Sequence, residues 1–326
     1  MASLKLNKKL QEKILKEVQH GDISTLQSFN LENPCFHWSS ISYEKTGDTI
    51  LHVAARLGYV TIIHYLLDEF YPCAVNVRNK DDKTALHEAA QFAQLQSILK
   101  LCSFRADVNA LRRGDWTALM LACTKVQSES NLLIAKALVK RGAQVNLPNK
   151  DGWTCVHILA REGGEDIFDY LLEHGLQVNV KTKNGRTPLH IAALHGNIGF
   201  ISKLITYIDI DSKDSCGNTP LHEAILGQHI KIAAVLVELG ADTYAKNNSD
   251  LSVLHLAASQ NSLQVINYIL SELNGEINFQ NKNGWTVAHC AARKGLREIC
   301  EHLKTLGADL SIKDNFGRSA TDYLSS

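Results

Sequence analysis

With 326 residues, 45% hydrophobic and 21% charged, the chain has the composition of a folded protein rather than a disordered one. Its length accommodates two globular domains or one long repeat array. Thirty-four basic residues balance thirty-four acidic ones for a net charge of +0, which argues against sequence-independent nucleic-acid binding, a function that calls for a basic excess.

The opening stretch, MASLKLNKKLQEKIL, interrupts its apolar positions with charges and so lacks a secretory h-region. Leu6, Leu10, Ile14 and Val18 stand four apart, which predicts an amphipathic helix ending near Gln19. His20-Gly21-Asp22 then turns into a second short helix near Leu26 and Phe29. Between Leu31 and Gly47 lies a linker with Trp38 and no periodicity. Residues 1–46 therefore read as a divergent N-terminal capping repeat and linker.

From Gly47 onward one pattern recurs. Its blocks are GDTILHVAARLG, DKTALHEAAQFA, DWTALMLACTKV, GWTCVHILAREG, GRTPLHIAALHG, GNTPLHEAILGQ, DLSVLHLAASQN and GWTVAHCAARKG. A histidine falls at 52, 87, 157, 190, 222, 255 and 289, with Met120 in the third block, at intervals of 35, 33, 37, 33, 32, 33 and 34. Each block predicts a short helix. Pro188 fits the first turn, where its missing N–H has no partner to lose, and Leu189, Ala192 and Ala193 form a narrow apolar face. A second helix carries pairs such as Leu66-Leu67, Leu171-Leu172 and Val235-Leu236. It ends at Gly142, Gly175, Gly240 or Gly307, where glycine takes the left-handed C-cap conformation. The third repeat carries four extra residues near Val126–Ser130, and Gly317 to Leu324 restart a repeat that stops after one helix.

Threonine or serine, leucine, histidine and alanine recurring at this spacing resemble the ankyrin repeats, whose signature is T-P-L-H-x-A at a period of about 33. The resemblance implies an all-α ankyrin-repeat solenoid of stacked helix-turn-helix units with projecting finger turns. It places eight repeats at 47–316 and a truncated C-terminal capping helix at 317–326. One such unit cannot bury its own apolar face, so stability comes from stacking on neighbours.

Chemistry is sparse by comparison. Histidines one repeat apart cannot converge on a metal and read as structural. His87-Glu88 and His222-Glu223 begin like a zinc-protease motif, but Gln91 and Leu226 stand where it needs a second histidine. There is no G-x-S-x-G, P-loop or G-x-G-x-x-G, so neither an enzyme nor a cofactor is expected. Eight cysteines without a C-x-x-C read as free thiols of a reducing compartment, with Cys123 and Cys290 in the core. Apolar runs such as Ile232 to Val237 are too short to cross a bilayer. The expectation is a soluble cytoplasmic monomer, with the nucleus also open to it.

The finger turns are more informative. Leu111-Arg112-Arg113-Gly114-Asp115-Trp116, Asn149-Lys150-Asp151-Gly152-Trp153 and Lys181-Thr182-Lys183-Asn184-Gly185-Arg186 together offer two tryptophans and six cations. The tryptophans could simply cover neighbouring fingers and the cations be a solvated edge. Trp and Arg, however, dominate protein interface energetics, so Arg112, Arg113, Trp116, Lys150, Trp153 and Arg186 are taken as candidate partner-binding residues. Trp285, without clustered cations, reads as structural.

In finer detail, the collinear string DWTALMLAC, NKDGWTCVHI, RTPLHIAALHG and SKDSCGNTPLHEAI is similar to a branch of the ankyrin family that docks on alanyl-tRNA synthetase. In that branch, proofreading is assisted by accepting misactivated serine on lysine side chains. The resemblance implies the same partner here, with Lys150 as the directly matched acceptor and Lys181 and Lys183 as further candidates. Arg113 stands where a second acceptor would, and a guanidinium cannot be acylated in the same way. The alternative is an ankyrin adaptor for an unrelated protein, outside translation.

Overall fold

The structure is a computed structural model that describes residues 8–32, 38, 41–68, 72–124, 129–261, 263–272 and 276–325. Among these it contains nineteen α-helices and no strand beyond isolated bridges. Val126 to Ser128 of the expected insertion, Leu6 and Cys35 lie outside the described residues. Contacts divide the chain into two compact units, Met1–Gln177 and Val178–Ser326.

The first unit is built from five helix pairs: α1 (Lys8–Gln19) with α2 (Ser24–Glu32), α3 (Ile50–Leu57) with α4 (Val60–Asp68), α5 (Ala85–Gln91) with α6 (Leu95–Ser103), α7 (Ala118–Ala122) with α8 (Glu129–Lys140), and α9 (Cys155–Glu162) with α10 (Glu165–Glu173). Ile14 and Val18 of α1 are fully buried, whereas Leu10, nearer the start of the helix, stays 36% exposed. The Tyr59 hydroxyl donates to the Gln19 carbonyl at 3.1 Å, and Trp38 meets Phe29 edge-on at 5.6 Å. Of the expected apolar pairs, Leu66, Leu67 and Leu171 are buried and Leu172 is half-buried; Ala54, Ala55, Ala89 and Ala90 of the first helices are buried as well.

The second unit repeats the scheme with α11 (Pro188–His195) and α12 (Ile198–Leu204), α13 (Pro220–Leu226) and α14 (Ile230–Glu238), α15 (Val253–Ser259) and α16 (Leu263–Glu272), α17 (Val287–Ala292) and α18 (Arg297–Thr305), then α19 (Ala320–Ser325). Helix α11 begins on Pro188, as its sequence predicts. Gly142, Gly175, Gly240 and Gly307 take φ between 84° and 97°, the left-handed conformation expected at the ends of second helices. Cys102, Cys123, Cys155, Cys290 and Cys300 are buried free thiols, and Cys216 is exposed.

The histidines explain why the pattern recurs. At Thr49, Thr84, Thr154, Thr187, Thr219 and Thr286 the threonine and the histidine three residues on form a reciprocal cap on their helix. The Thr187 N–H donates to His190 Nδ1 at 3.2 Å, so the ring hydrogen sits on Nε2 and is given to the Asn218 carbonyl of the next finger at 2.9 Å. The same bridge runs from His52 to Lys83, His87 to Trp116, His222 to Leu251, His255 to Trp285 and His289 to Arg318. Each buried hydrogen bond of this kind is worth about 1 kcal/mol net, and more if one partner is left unpaired. Met120 keeps only the cap, its N–H donating to Thr117 Oγ1 at 3.2 Å, because a thioether has no hydrogen to give.

Fingers are also stitched to one another through the backbone. Lys80, Arg113 and Lys150 donate their amides to the carbonyls of Thr46, Asp81 and Gly114 in the first unit, and Ser215, Asn248 and Asn315 donate to Asn184, Cys216 and Asn283 in the second. The approach is close enough that a Cβ on Gly217, at φ 76°, would lie 2.6 Å from the Asn248 backbone nitrogen. Glycine is required there both for its φ and for its missing side chain.

Neutral histidines make the fold sensitive to acid. Burial lowers His87 and His190 to about 4, against the opposing carbonyl bonds of Trp116 and Asn218, and it lowers His52, His222 and His255 in the same direction. Unfolded histidine titrates near ~6.5. Between the two values the unfolded chain binds more protons, so stability falls as pH drops through that window and is level above it. Urea midpoints are therefore expected to hold steady above neutrality and decline between about pH 6.5 and about pH 4, less steeply in His190→Gln than in the native chain. Equal pH dependence in the two proteins would contradict this account.

Candidate docking surface

A finger is shaped by one short polar side chain at its base. Asn149 accepts the amides of Asp151 and Trp153 on Oδ1 and donates its own amide to the Trp153 carbonyl at 2.7 Å. Asn79 does the same for Asp81 and Lys83, Asp214 for Cys216 and Asn218, Asn281 for Asn283 and Trp285, and Asp314 for Phe316 and Arg318. All five side chains are buried.

The finger at 111–116 departs from this rule, because Arg112 occupies the organising position. The turn still closes, with the Arg112 amide donating to the Trp116 carbonyl at 3.0 Å and the Asp115 amide to the Arg112 carbonyl at 2.8 Å. The guanidinium carbon lies 5.3 Å from the centre of the Trp116 ring, a cation–π contact. Nε is buried and has no hydrogen-bond partner among the described residues, while Nη1 reaches only the Arg113 carbonyl at 3.5 Å. Burial pulls the Arg112 pKa down from the ordinary guanidinium value, opposed by Asp81 and Glu88. The result is a charged donor short of acceptors.

Arg112, Arg113, Lys150 and Arg78 line one groove of about 750 Å³, together with Asp82, Asp107 and Asp115. Three of the sequence-predicted residues are thus brought together. Their positive charge is interleaved with carboxylates that a count of cations alone misses, as it misses Arg78. Arg113 is 74% exposed, with Asp81 at 3.7 Å, an exposed pair of little energetic value. The Lys150 side chain is exposed and forms no ion pair among the described residues.

Trp116 and Trp153 are half-buried and do not line the groove. Trp153 faces the guanidinium of Arg161 at 5.4 Å and the His157 ring at 6.0 Å. Neither indole N–H finds an acceptor among the described residues. Trp285 differs: its Nε1–H donates to Asp314 Oδ2 at 3.2 Å and Arg293 covers its ring at 3.7 Å, in keeping with the structural reading.

In the second unit, Lys183 takes the same place in its finger as Lys150 does in the first and is exposed. The Lys181 amine instead reaches the Lys213 carbonyl at 3.3 Å. Arg186 turns inward, its guanidinium 3.1 Å from the fully buried Glu223 and 3.6 Å from Asp214. Arg56 makes the corresponding network in the first unit with Asp48 and Glu88. No cluster of three or more metal-ligating side chains occurs among the described residues, nor is any of their helices long and apolar enough to cross a membrane.

Because only one of the two tryptophans at issue is bonded through its indole, substitutions separate them. Trp285→Phe is expected to destabilise the chain by about 1 kcal/mol, and Trp153→Phe by less than ~0.5 kcal/mol, measured by urea unfolding. Equal losses would contradict the assignment of Trp285 to structure and Trp153 to surface.

A family model described as ankyrin repeats (3 copies) matches residues 15–112, 96–182, 175–247 and 241–314. The chain is 30% identical over 199 residues to the nuclear factor NF-kappa-B p105 subunit of Gallus gallus, covering 61% of this chain and 17% of that protein. It is 30% identical over 110 residues to NF-kappa-B inhibitor alpha of Mus musculus, covering 32% of this chain and 35% of that protein. Over 115 residues it is 30% identical to the probable 26S proteasome regulatory subunit p28 of Saccharomyces cerevisiae, covering 35% of this chain and 50% of that protein. The match spans half or less of the length of each of these relatives.

Proposed function

This chain belongs to the ankyrin-repeat family, and from that premise we propose that it is a protein-binding scaffold that docks through the fingers of its first unit. The observation that carries the reading is Arg112, a guanidinium set on Trp116 with its buried Nε unpartnered. Its exposed end, where Nη1 reaches only the Arg113 carbonyl at 3.5 Å, is a donor short of acceptors that a partner's acceptor can meet. Arg113 and Lys150 line the same groove, Trp116 stacks on the guanidinium and Trp153 stands on the following finger. Arg186 enters as the residue that fixes the first finger of the second unit from within. The relatives named as an inhibitor of NF-kappa-B and as a regulatory subunit of the proteasome are by name proteins that act on proteins, which supports the class of function and leaves the partner open.

For the partner, the string of blocks from DWTALMLAC to SKDSCGNTPLHEAI supports alanyl-tRNA synthetase and a role in limiting serine misincorporation. The chemistry asks little of this chain. A lysine amine attacks the carbonyl of seryl-adenylate, the new C–N bond forms as the bond to AMP breaks, and the amine gives up a proton. Proximity in the complex supplies the rate. Lys150 is the first candidate acceptor. Lys183 shares its place on a finger, and Lys181, with its amine engaged by the Lys213 carbonyl, is the weakest.

Copurification with the synthetase tests the partner, and Trp153→Ala is expected to weaken that complex by more than about 1 kcal/mol while Trp285→Ala, matched for folding, does not. Incubation with the synthetase, ATP and serine is expected to add one seryl mass to Lys150, lost in Lys150→Arg. A complex that forms without modification of Lys150, Lys181 or Lys183 would leave docking and remove acceptance. No complex at all would point to an unrelated protein partner.

A further inference from the structure

The backbone stitching between fingers fails at one joint of the second unit. By the register of the other fingers, the Lys282 amide should donate to the finger that precedes it, and it makes no such bond among the described residues. Two further links differ at this joint among the described residues. Asn109, Asn146 and Asn278 each donate to a glycine carbonyl one repeat on and accept an amide two residues beyond it. The equivalent position here is Tyr244, which is 60% exposed and whose hydroxyl makes no hydrogen bond among the described residues. Lys181 and Lys213 reach the carbonyls of Lys213 and Lys246. Lys246 reaches no oxygen among the described residues, and its amine lies 3.7 Å from the centre of the Phe279 ring.

A cavity of about 190 Å³ opens at this joint. Its floor is the buried Val253, Leu254 and Ile269, its wall is Phe279, and its mouth carries Tyr244, Lys246 and Glu276. A dry cavity of about 150 Å³ holds a benzene ring, so this one accommodates a single large apolar side chain. Among the described residues the Lys246 ammonium meets no oxygen acceptor at the entrance, where the exposed Glu276 also stands.

We propose that this cleft captures an extended segment of a protein partner, inserting one phenylalanine-sized side chain and setting the carboxylate of an adjacent acidic residue on Lys246. The site lies wholly in the second unit and does not depend on the finger surface of the first. Its chemistry comes from three neighbouring absences among the described residues: the finger bond, the asparagine bridge and the lysine's carbonyl. Together they leave unfilled apolar volume beside an unmet cation.

The test follows methyl resonances of Val253, Leu254 and Ile269 in the full chain during titration with blocked tetrapeptides. Gly-Phe-Asp-Gly is expected to give saturable shifts at these methyls in the millimolar range. Gly-Ala-Asp-Gly should bind at least ~10-fold more weakly, through loss of the buried ring, and Gly-Phe-Asn-Gly roughly 5-fold more weakly, through loss of the charge. Lys246→Gln should reduce affinity for the Asp peptide by that same factor and leave the Asn peptide unchanged, with the methyl spectrum reporting the fold. Glu276→Gln should not weaken binding. The proposal is overturned if the Phe peptides leave these methyls unmoved, if Asp and Asn peptides bind alike, or if the shifts follow protein concentration without peptide, which would make the occupant a second copy of this chain.

Discussion

The rest of the structure depends on a histidine that bonds in two directions at once. Its Nδ1 closes the cap of its own helix by accepting the threonine amide, which forces the hydrogen onto Nε2, and that hydrogen is donated to a carbonyl of the next finger. Local capping and inter-repeat registration are thereby one event. A finger is held less by its own sequence than by the repeat before it, as expected where stability is a sum over neighbouring units. Burial keeps the ring neutral, and neutrality is what allows it to accept on one side and donate on the other.

Much of this was legible in the sequence because it is periodic. Thr-x-x-His, the paired leucines and the terminal glycines announced helix starts, cores and ends, and Pro188 begins its helix as anticipated. What escaped was whatever depends on which way a side chain turns. Arg112 and Arg186 look alike in a count of finger cations. The structure leaves the Arg112 Nε unpartnered and directs Arg186 onto Glu223 and Asp214. Lys181 and Lys183 are two residues apart, and only the three-dimensional frame shows the Lys181 amine engaged by the Lys213 carbonyl and Lys183 exposed. The cavity beside Tyr244 was invisible because its cause is a set of bonds not made.

Function follows the same logic of satisfied and unsatisfied groups. Arg56 and Arg186 neutralise the buried Glu88 and Glu223. Removing Arg186 would leave the buried Glu223 without its ion pair, a costly change that reads as loss of folding, whereas Glu88 would keep Lys83 at 3.1 Å. Arg112 stands in an Asn or Asp position and closes its finger without completing its own hydrogen bonds. A substitution there acts on recognition more than on the core. Proposed docking therefore concentrates where the repeat rule is broken, at the Arg112 finger in the first unit and at the joint before Lys282 in the second.

Amide hydrogen exchange resolved by residue tests this most directly. The finger amides of Lys80, Arg113, Lys150, Ser215, Asn248 and Asn315, all bonded to a neighbouring finger, should exchange slowly despite lying on surface turns, and the Lys282 amide should exchange near the rate of an unprotected peptide. Free exchange at Arg113 and Lys150, or protection of Lys282 equal to theirs, would contradict the claim that neighbours hold the fingers and that the joint before Lys282 is left open.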